Sequence, residues 1–87
     1  MAEKLTVRRV GELALAEVAD LVGCPGEGVT GVRGTEDGWT VTIEVLELGR
    51  VPETTDVLAS YDVQVDRDGD ITGYHRVRRY LRAEVEG

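Results

Sequence analysis

Residues 56–66 read DVLASYDVQVD, and their alternation decides the architecture. Val57, Ala59, Tyr61, Val63 and Val65 point one way, with Leu58, Ser60, Asp62 and Gln64 opposite, a period of two that only a strand satisfies. Upstream, GWTVTIEVLEL (38–48) repeats the pattern. Trp39, Val41, Ile43 and Val45 share one face, and Thr40, Thr42 and Glu44 the other. Both segments are expected to be half-buried strands of a sheet with one covered face. Downstream, DRDGDI offers a hairpin loop at Arg67-Asp68-Gly69, with Gly69 free to take the left-handed conformation. TEDGW provides a similar loop at Glu36-Asp37-Gly38. Whether it uses two residues or three decides whether Val29 or Val32 faces inward, and the sequence leaves both open.

Before the strands the period changes. VRRVGELALAEVADLV (7–22) places Val7, Val10, Leu13/Ala14, Val18, Leu21 and Val22 at helical spacing, with Glu12, Glu17 and Asp20 elsewhere on the wheel. Thr6 suits the N-cap, and Gly23 followed by Pro25 is a stop signal. Arg8 and Arg9 sit badly in a first turn. Either the helix starts earlier, near Ala2, or they have acidic neighbours. The expected fold is α+β: one N-terminal helix (about 7–22) on a four-stranded antiparallel meander (about 28–35, 39–48, 57–66 and 70–83), with residues 1–87 forming a single domain.

Composition narrows the function. The chain has 87 residues, enough for one core, and a net charge of −7 from 17 acids and 10 bases, which opposes generic nucleic-acid binding. It has no Phe and only four aromatics (Trp39, Tyr61, Tyr74, Tyr80), so a deep aromatic pocket is not expected. No apolar run approaches the ~20 residues of a membrane span, and MAEKLTVRRV lacks the apolar core of a signal peptide, so an intracellular protein is expected. A lone cysteine, Cys24, excludes an internal disulfide and a cysteine-built zinc site.

Against that acidity, GYHRVRRYLR (73–82) holds four of the ten bases. If the hairpin closes through Arg67-Asp68-Gly69, Val65 lies opposite Ile71, Tyr61 opposite His75 and Ala59 opposite Val77. Ile71, Val77 and Leu81 then join the core, while Tyr74, Arg76, Arg78, Tyr80 and Arg82 form a stripe on the open face. The plain reading is a solvated strand whose arginines answer Asp62 and Glu44 and guard a sheet edge. The functional reading is a flat partner-binding patch, since Tyr and Arg are enriched at interface hot spots. Stacking of nucleic-acid bases on Tyr74 and Tyr80, as in a small nucleic-acid-binding regulator, is the weaker alternative. An exposed edge also leaves self-association by strand pairing open, which the arginines disfavour.

Catalytic signals are sparse. His75 is the only histidine and is expected to be a buried or half-buried, hydrogen-bonded group opposite Tyr61. Cys24 follows a helix C-terminus, which does not activate a thiol. Asp66, Asp68 and Asp70 resemble the start of a calcium loop, but Val77 stands where its closing Glu belongs, and a turn is expected. No catalytic residue, cofactor or metal is assigned, and the chain is not expected to be an enzyme.

The run GWTVTIEVLELGRVPETTDVLASYDVQVDRDGDITGYHRVRRYLR (38–82) resembles the gas vesicle protein O family. The matching features are Gly38-Trp39 with Glu44 and Glu47, Arg50-Val51-Pro52 with Thr55-Asp56, and the segment from Asp56 to Tyr61. The Asp-Gly hairpin and Gly73-Tyr74 leading to Arg79-Tyr80 complete the set. The resemblance implies a small, cytoplasmic, non-enzymatic accessory protein of gas vesicle assembly that acts through contacts with other gas vesicle proteins, shell or accessory. It implies no catalytic residues. Many members have a longer, charged and variable N-terminal tail, which is expected here to be lacking or trimmed, since the sequence starts almost at the helix. Arg50 and Asp56 flank the one longer connection, LGRVPETTD, either as an ion pair pinning it or as a contact site.

Overall fold

The computed structural model describes residues 5–83. Helix α1 (Val7–Val22) is followed by strands β1 (Gly26–Thr35), β2 (Gly38–Leu48), β3 (Val57–Asp66) and β4 (Ile71–Leu81), with a 3-10 turn at Glu53–Thr55 before β3. The strands form one antiparallel sheet in the order β1-β2-β3-β4, and α1 packs on one face. The fold is therefore the expected α+β meander.

Thr6 caps α1 by accepting the Arg9 amide at 3.1 Å, which fixes the start at Val7; Ala2 lies outside the described residues. Arg8 and Arg9 both find Glu12, one turn on, at 3.8 and 3.7 Å. That contact resolves their position in a first turn that the dipole disfavours. Gly23 ends the helix in the left-handed conformation, and its amide returns to the last turn. The stripe Val10, Ala14 and Val18 is fully buried against Val41, Ile43 and Val45 of β2 and Ala59, Val63 and Val65 of β3. Burial of each such valine stabilises the fold by roughly 1.5–3 kcal/mol.

Register explains the rest. The first hairpin uses the two residues Glu36-Asp37, since Thr35 pairs with Gly38. A bulge at Thr30 then lets both Val29 and Val32 share the core face, opposite Ile43 and Val41. The two valines were not exclusive alternatives, because an extra residue between them changes the parity. At the other hairpin Gly69 takes φ 89° and the Asp66 amide donates to the Asp70 carbonyl at 2.9 Å. Arg67 donates to the Glu36 carbonyl, joining the two hairpin ends.

Helix α1 lies over β1, β2 and part of β3, leaving β4 beyond Ile71 bare on the helix side. A helix is about 10 Å wide and strands are spaced about 4.8 Å, so one helix covers roughly two strands. The uncovered strand is the arginine-rich one.

Candidate functional site

Two bulges in β4 redistribute the expected stripe. Val65 pairs with Ile71 as expected, but Gln64 pairs with Gly73, so Thr72 is an extra residue. Its hydroxyl donates to the Gln64 carbonyl at 3.3 Å, replacing part of the interrupted ladder. Next to it, Gly73 brings no side chain to hold the strand regular. A second extra residue, Val77, follows, since Tyr61 pairs with Arg76 and Ser60 with Arg78. Each bulge reverses which way the following side chains point.

Tyr74, Arg76, Arg78, Tyr80 and Arg82 therefore do not share a face. Tyr74, Arg76 and Arg79 lie on the helix side, opposite Val63, Tyr61 and Ala59, whereas Arg78 and Tyr80 lie on the other side, opposite Ser60 and Leu58. Val77, expected in the core, is 51% exposed, and Leu81 is exposed as well. Tyr80, expected on an open face, is 6% exposed beside the buried Leu58, with the Arg78 guanidinium 4.2 Å from its ring centroid. The face opposite the helix is thus covered at this end, where a single covered face was expected. His75 is exposed and pairs with Asp62 rather than Tyr61, so it is not buried or half-buried as expected. Asp62 itself accepts the Thr42 hydroxyl at 2.7 Å.

The helix-side shelf has its own chemistry. Tyr61 and Tyr74 meet with ring centroids 6.1 Å apart at 53°, a tilted aromatic pair. Beyond them Arg76 and Arg79 converge on Glu47, at 3.2 and 2.8 Å, each taking one carboxylate oxygen. Both arginines must cross β3 to reach β2, and Ala59, directly opposite Arg79, is small enough to let them pass. One carboxylate between two guanidiniums leaves the shelf positive. Burial, and secondarily the Glu47 charge, raises the Tyr61 pKa above the ordinary 10.0. Arg79 and Glu47 were missed as site residues. Glu47 was the available signal: it continues the inward-facing series Trp39, Val41, Ile43, Val45 with a charge, which needs a cation on the same face.

Asp56 is 5% exposed and organises the β2–β3 connection. It accepts the Arg50 backbone amide at 2.7 Å and Arg82 Nε at 3.2 Å, and Arg82 also reaches Glu27 of β1 at 2.8 Å. The expected Arg50–Asp56 ion pair is corrected: Arg50 contributes its amide, and Arg82 supplies the cation. Arg82 is consequently turned into the fold. Its hydrogen bond to Glu27 raises its pKa most, with that to Asp56 adding and desolvation opposing.

Other candidates are plain. Asp66, Asp68 and Asp70 bring carboxylates within 4.8 Å of one another, but Asp66 Oδ1 accepts the Asp68 and Asp70 amides at 2.9 and 3.0 Å, as a turn requires. The Cys24 thiol packs against the core and reaches the Val22 carbonyl at 3.7 Å. No described helix is long and apolar enough to cross a membrane.

Comparison with known proteins agrees with the resemblance. Gas vesicle protein O of Streptomyces sp. is 53% identical over 78 residues, covering 90% of this chain and 61% of the relative. Gas vesicle protein O1 of Halobacterium salinarum is 31% identical over 85 residues, 98% of this chain and 71% of the relative. Gas vesicle protein O of Haloferax mediterranei is 33% identical over 61 residues and is spanned over only 44% of its length. No solved structure matches the chain. The family described as Gas vesicle synthesis protein GvpO matches residues 1–86, and the chain belongs to that family.

Proposed function

We propose that this chain serves gas vesicle formation as a non-enzymatic accessory protein in the cytoplasm, binding other gas vesicle proteins through the surface of β4. Support for a vesicle role comes from the family and from relatives named as gas vesicle proteins. Support for β4 comes from charge. Arg76, Arg78, Arg79 and Arg82 leave only six bases against 17 acids in the rest of the chain. Three of the four stay accessible on an edge strand that α1 does not cover, and that placement carries the reading. Tyr74, Arg76 and Arg79 form its helix-side part and Arg78 its opposite part; Tyr80 and Arg82 support it from within.

No observation favours a nucleic-acid regulator, because Tyr74 and Tyr80 point to opposite faces and cannot form one stacking platform. Co-expression of the tagged chain with the proteins encoded beside the vesicle shell protein tests the proposal. Wild type is expected to retain at least one of them, and Arg76→Glu/Arg78→Glu to lose it while keeping its far-UV spectrum. Normal vesicles in cells lacking the gene, together with no retained partner, would overturn the role.

A further inference from the structure

We propose that the helix-side shelf of β3 and β4 is the seat of an amphipathic partner helix, acidic at the end that meets Arg76 and Arg79. This rests on the accessory-protein reading and gives the partner a chemistry. An open groove of about 340 Å³ runs between α1 and β4, lined by Glu17, Leu21, Ile71, Thr72, Gly73 and Tyr74. Leu21 is 58% and Tyr74 41% exposed, so the groove presents apolar side chains that no described element covers. Tyr61, tilted against Tyr74, extends the floor toward the arginines.

Three features select a helix and orient it. First, α1 leaves β4 beyond Ile71 and the half-buried Tyr61 of β3 uncovered, so a further helix beside α1 finds a floor about one strand wide and overhangs the sheet edge. Second, the bulges at Thr72 and Val77 interrupt the outer edge of β4, so a continuous added strand finds few regular positions. Third, charge is graded along the groove. Glu17 and Asp70 stand at one end, while Arg76 and Arg79 share the single carboxylate of Glu47 at the other. A helix with an apolar stripe, acidic residues over the arginines and a base toward Glu17 complements this surface, and Glu47 competes with it for the guanidiniums.

Overlapping peptides of about 20 residues, long enough for five helical turns, from every protein encoded in the vesicle cluster provide the probe. Binding is measured by fluorescence anisotropy and by amide shift mapping on the intact chain. The expected binders are amphipathic and acidic at one end, and shift Leu21, Ile71 and Tyr74. Tyr74→Ala is expected to weaken them about tenfold, in the range of a central interface tyrosine. Glu47→Gln, which frees both arginines, is expected to tighten binding several-fold, and added salt to weaken it. Because Arg76→Gln/Arg79→Gln strands Glu47, the triple variant that also carries Glu47→Gln keeps the shelf neutral and foldable. It too is expected to lose affinity about tenfold. Basic binders, shifts confined to β1, or affinity unchanged in the triple variant would overturn the inference. So would peptides that all fail while full-length partners are retained; failure of the full-length partners as well would instead remove the accessory-protein reading.

Discussion

A methyl group added at Gly38 would meet the Val65 carbonyl oxygen at 2.0 Å and the Asp66 Cα at 2.8 Å, in a backbone conformation (φ 152°) that side chains rarely adopt. Both obstacles are backbone, so nothing cheap can move. Gly38→Ala is expected to cost about 3 kcal/mol or more. Gly34, four residues earlier on β1, has open space around its Cβ direction, and Gly34→Ala is expected to be neutral or stabilising by a few tenths of a kcal/mol, as a less flexible unfolded chain allows. Urea unfolding followed by circular dichroism separates the two; equal midpoints would refute the close approach. Tyr61 supplies the pH dependence at this scale. Burial raises its pKa above 10.0, so above that pH the folded protein keeps a proton that the unfolded chain has released. Its contribution is intact below about pH 10 and is lost as pH rises through the folded value. Urea midpoints between pH 8 and 11 are expected to fall more steeply for wild type than for Tyr61→Phe. Parallel slopes would show that the phenol does not titrate late.

At the scale of elements, α1 holds the sheet through the fully buried Val10, Ala14 and Val18, with Leu15, Ala19 and Val22 packed beside them, and the contrast between its faces is testable. Val18 is wholly buried, so Val18→Ala removes two methyl-sized groups from a packed site and is expected to cost about 2 kcal/mol. Leu21, for all its size, projects over the groove, and Leu21→Ala is expected to change stability by less than about 0.5 kcal/mol. Comparable losses would mean that the groove is closed in solution. That α1, β2 and β3 were legible beforehand follows from their periodicity, because Val10, Ala14 and Val18 or Val41, Ile43 and Val45 each recur at one fixed spacing. Strand β4 was not legible for the converse reason. Thr72 and Val77 are good strand residues, and nothing in their identity announces that each stands unpaired. A bulge is a decision of backbone hydrogen bonding, and every residue after it changes face. The second bulge restores the parity that the first reverses, so Tyr74 and Arg76 were assigned to the wrong face, while Arg78 and Tyr80 were assigned to the right one. Glu47, by contrast, could have been read, as a charge standing in an inward-facing series.

Across the whole molecule, Arg82 ties together parts of the chain far apart in sequence. Its guanidinium bridges Glu27 at the start of β1 and Asp56 before β3, and its amide donates to the Asp56 carbonyl at 2.9 Å. Asp56 is nearly inaccessible to water, so removing the guanidinium leaves a desolvated carboxylate with only the Arg50 amide as a side-chain partner. Arg82→Ala is expected to destabilise the fold, because a hydrogen bond to a charged group is left unmade. In a domain of this size the melting temperature is expected to fall by several degrees. Arg82→Lys is expected to recover only part of the loss, because one ammonium cannot fork between two carboxylates on different strands. Glu27→Gln, at the more exposed end of the bridge, is expected to cost less than about 1 kcal/mol. A double-mutant cycle of Arg82→Ala with Asp56→Asn measures the coupling directly, and melting curves in 0.05 and 1 M salt report its burial. A coupling near zero would mean that the arginine merely decorates the surface. A coupling that survives high salt would make Arg82 a structural clasp. Arg76, Arg78 and Arg79 would then be the arginines of β4 left to meet a partner.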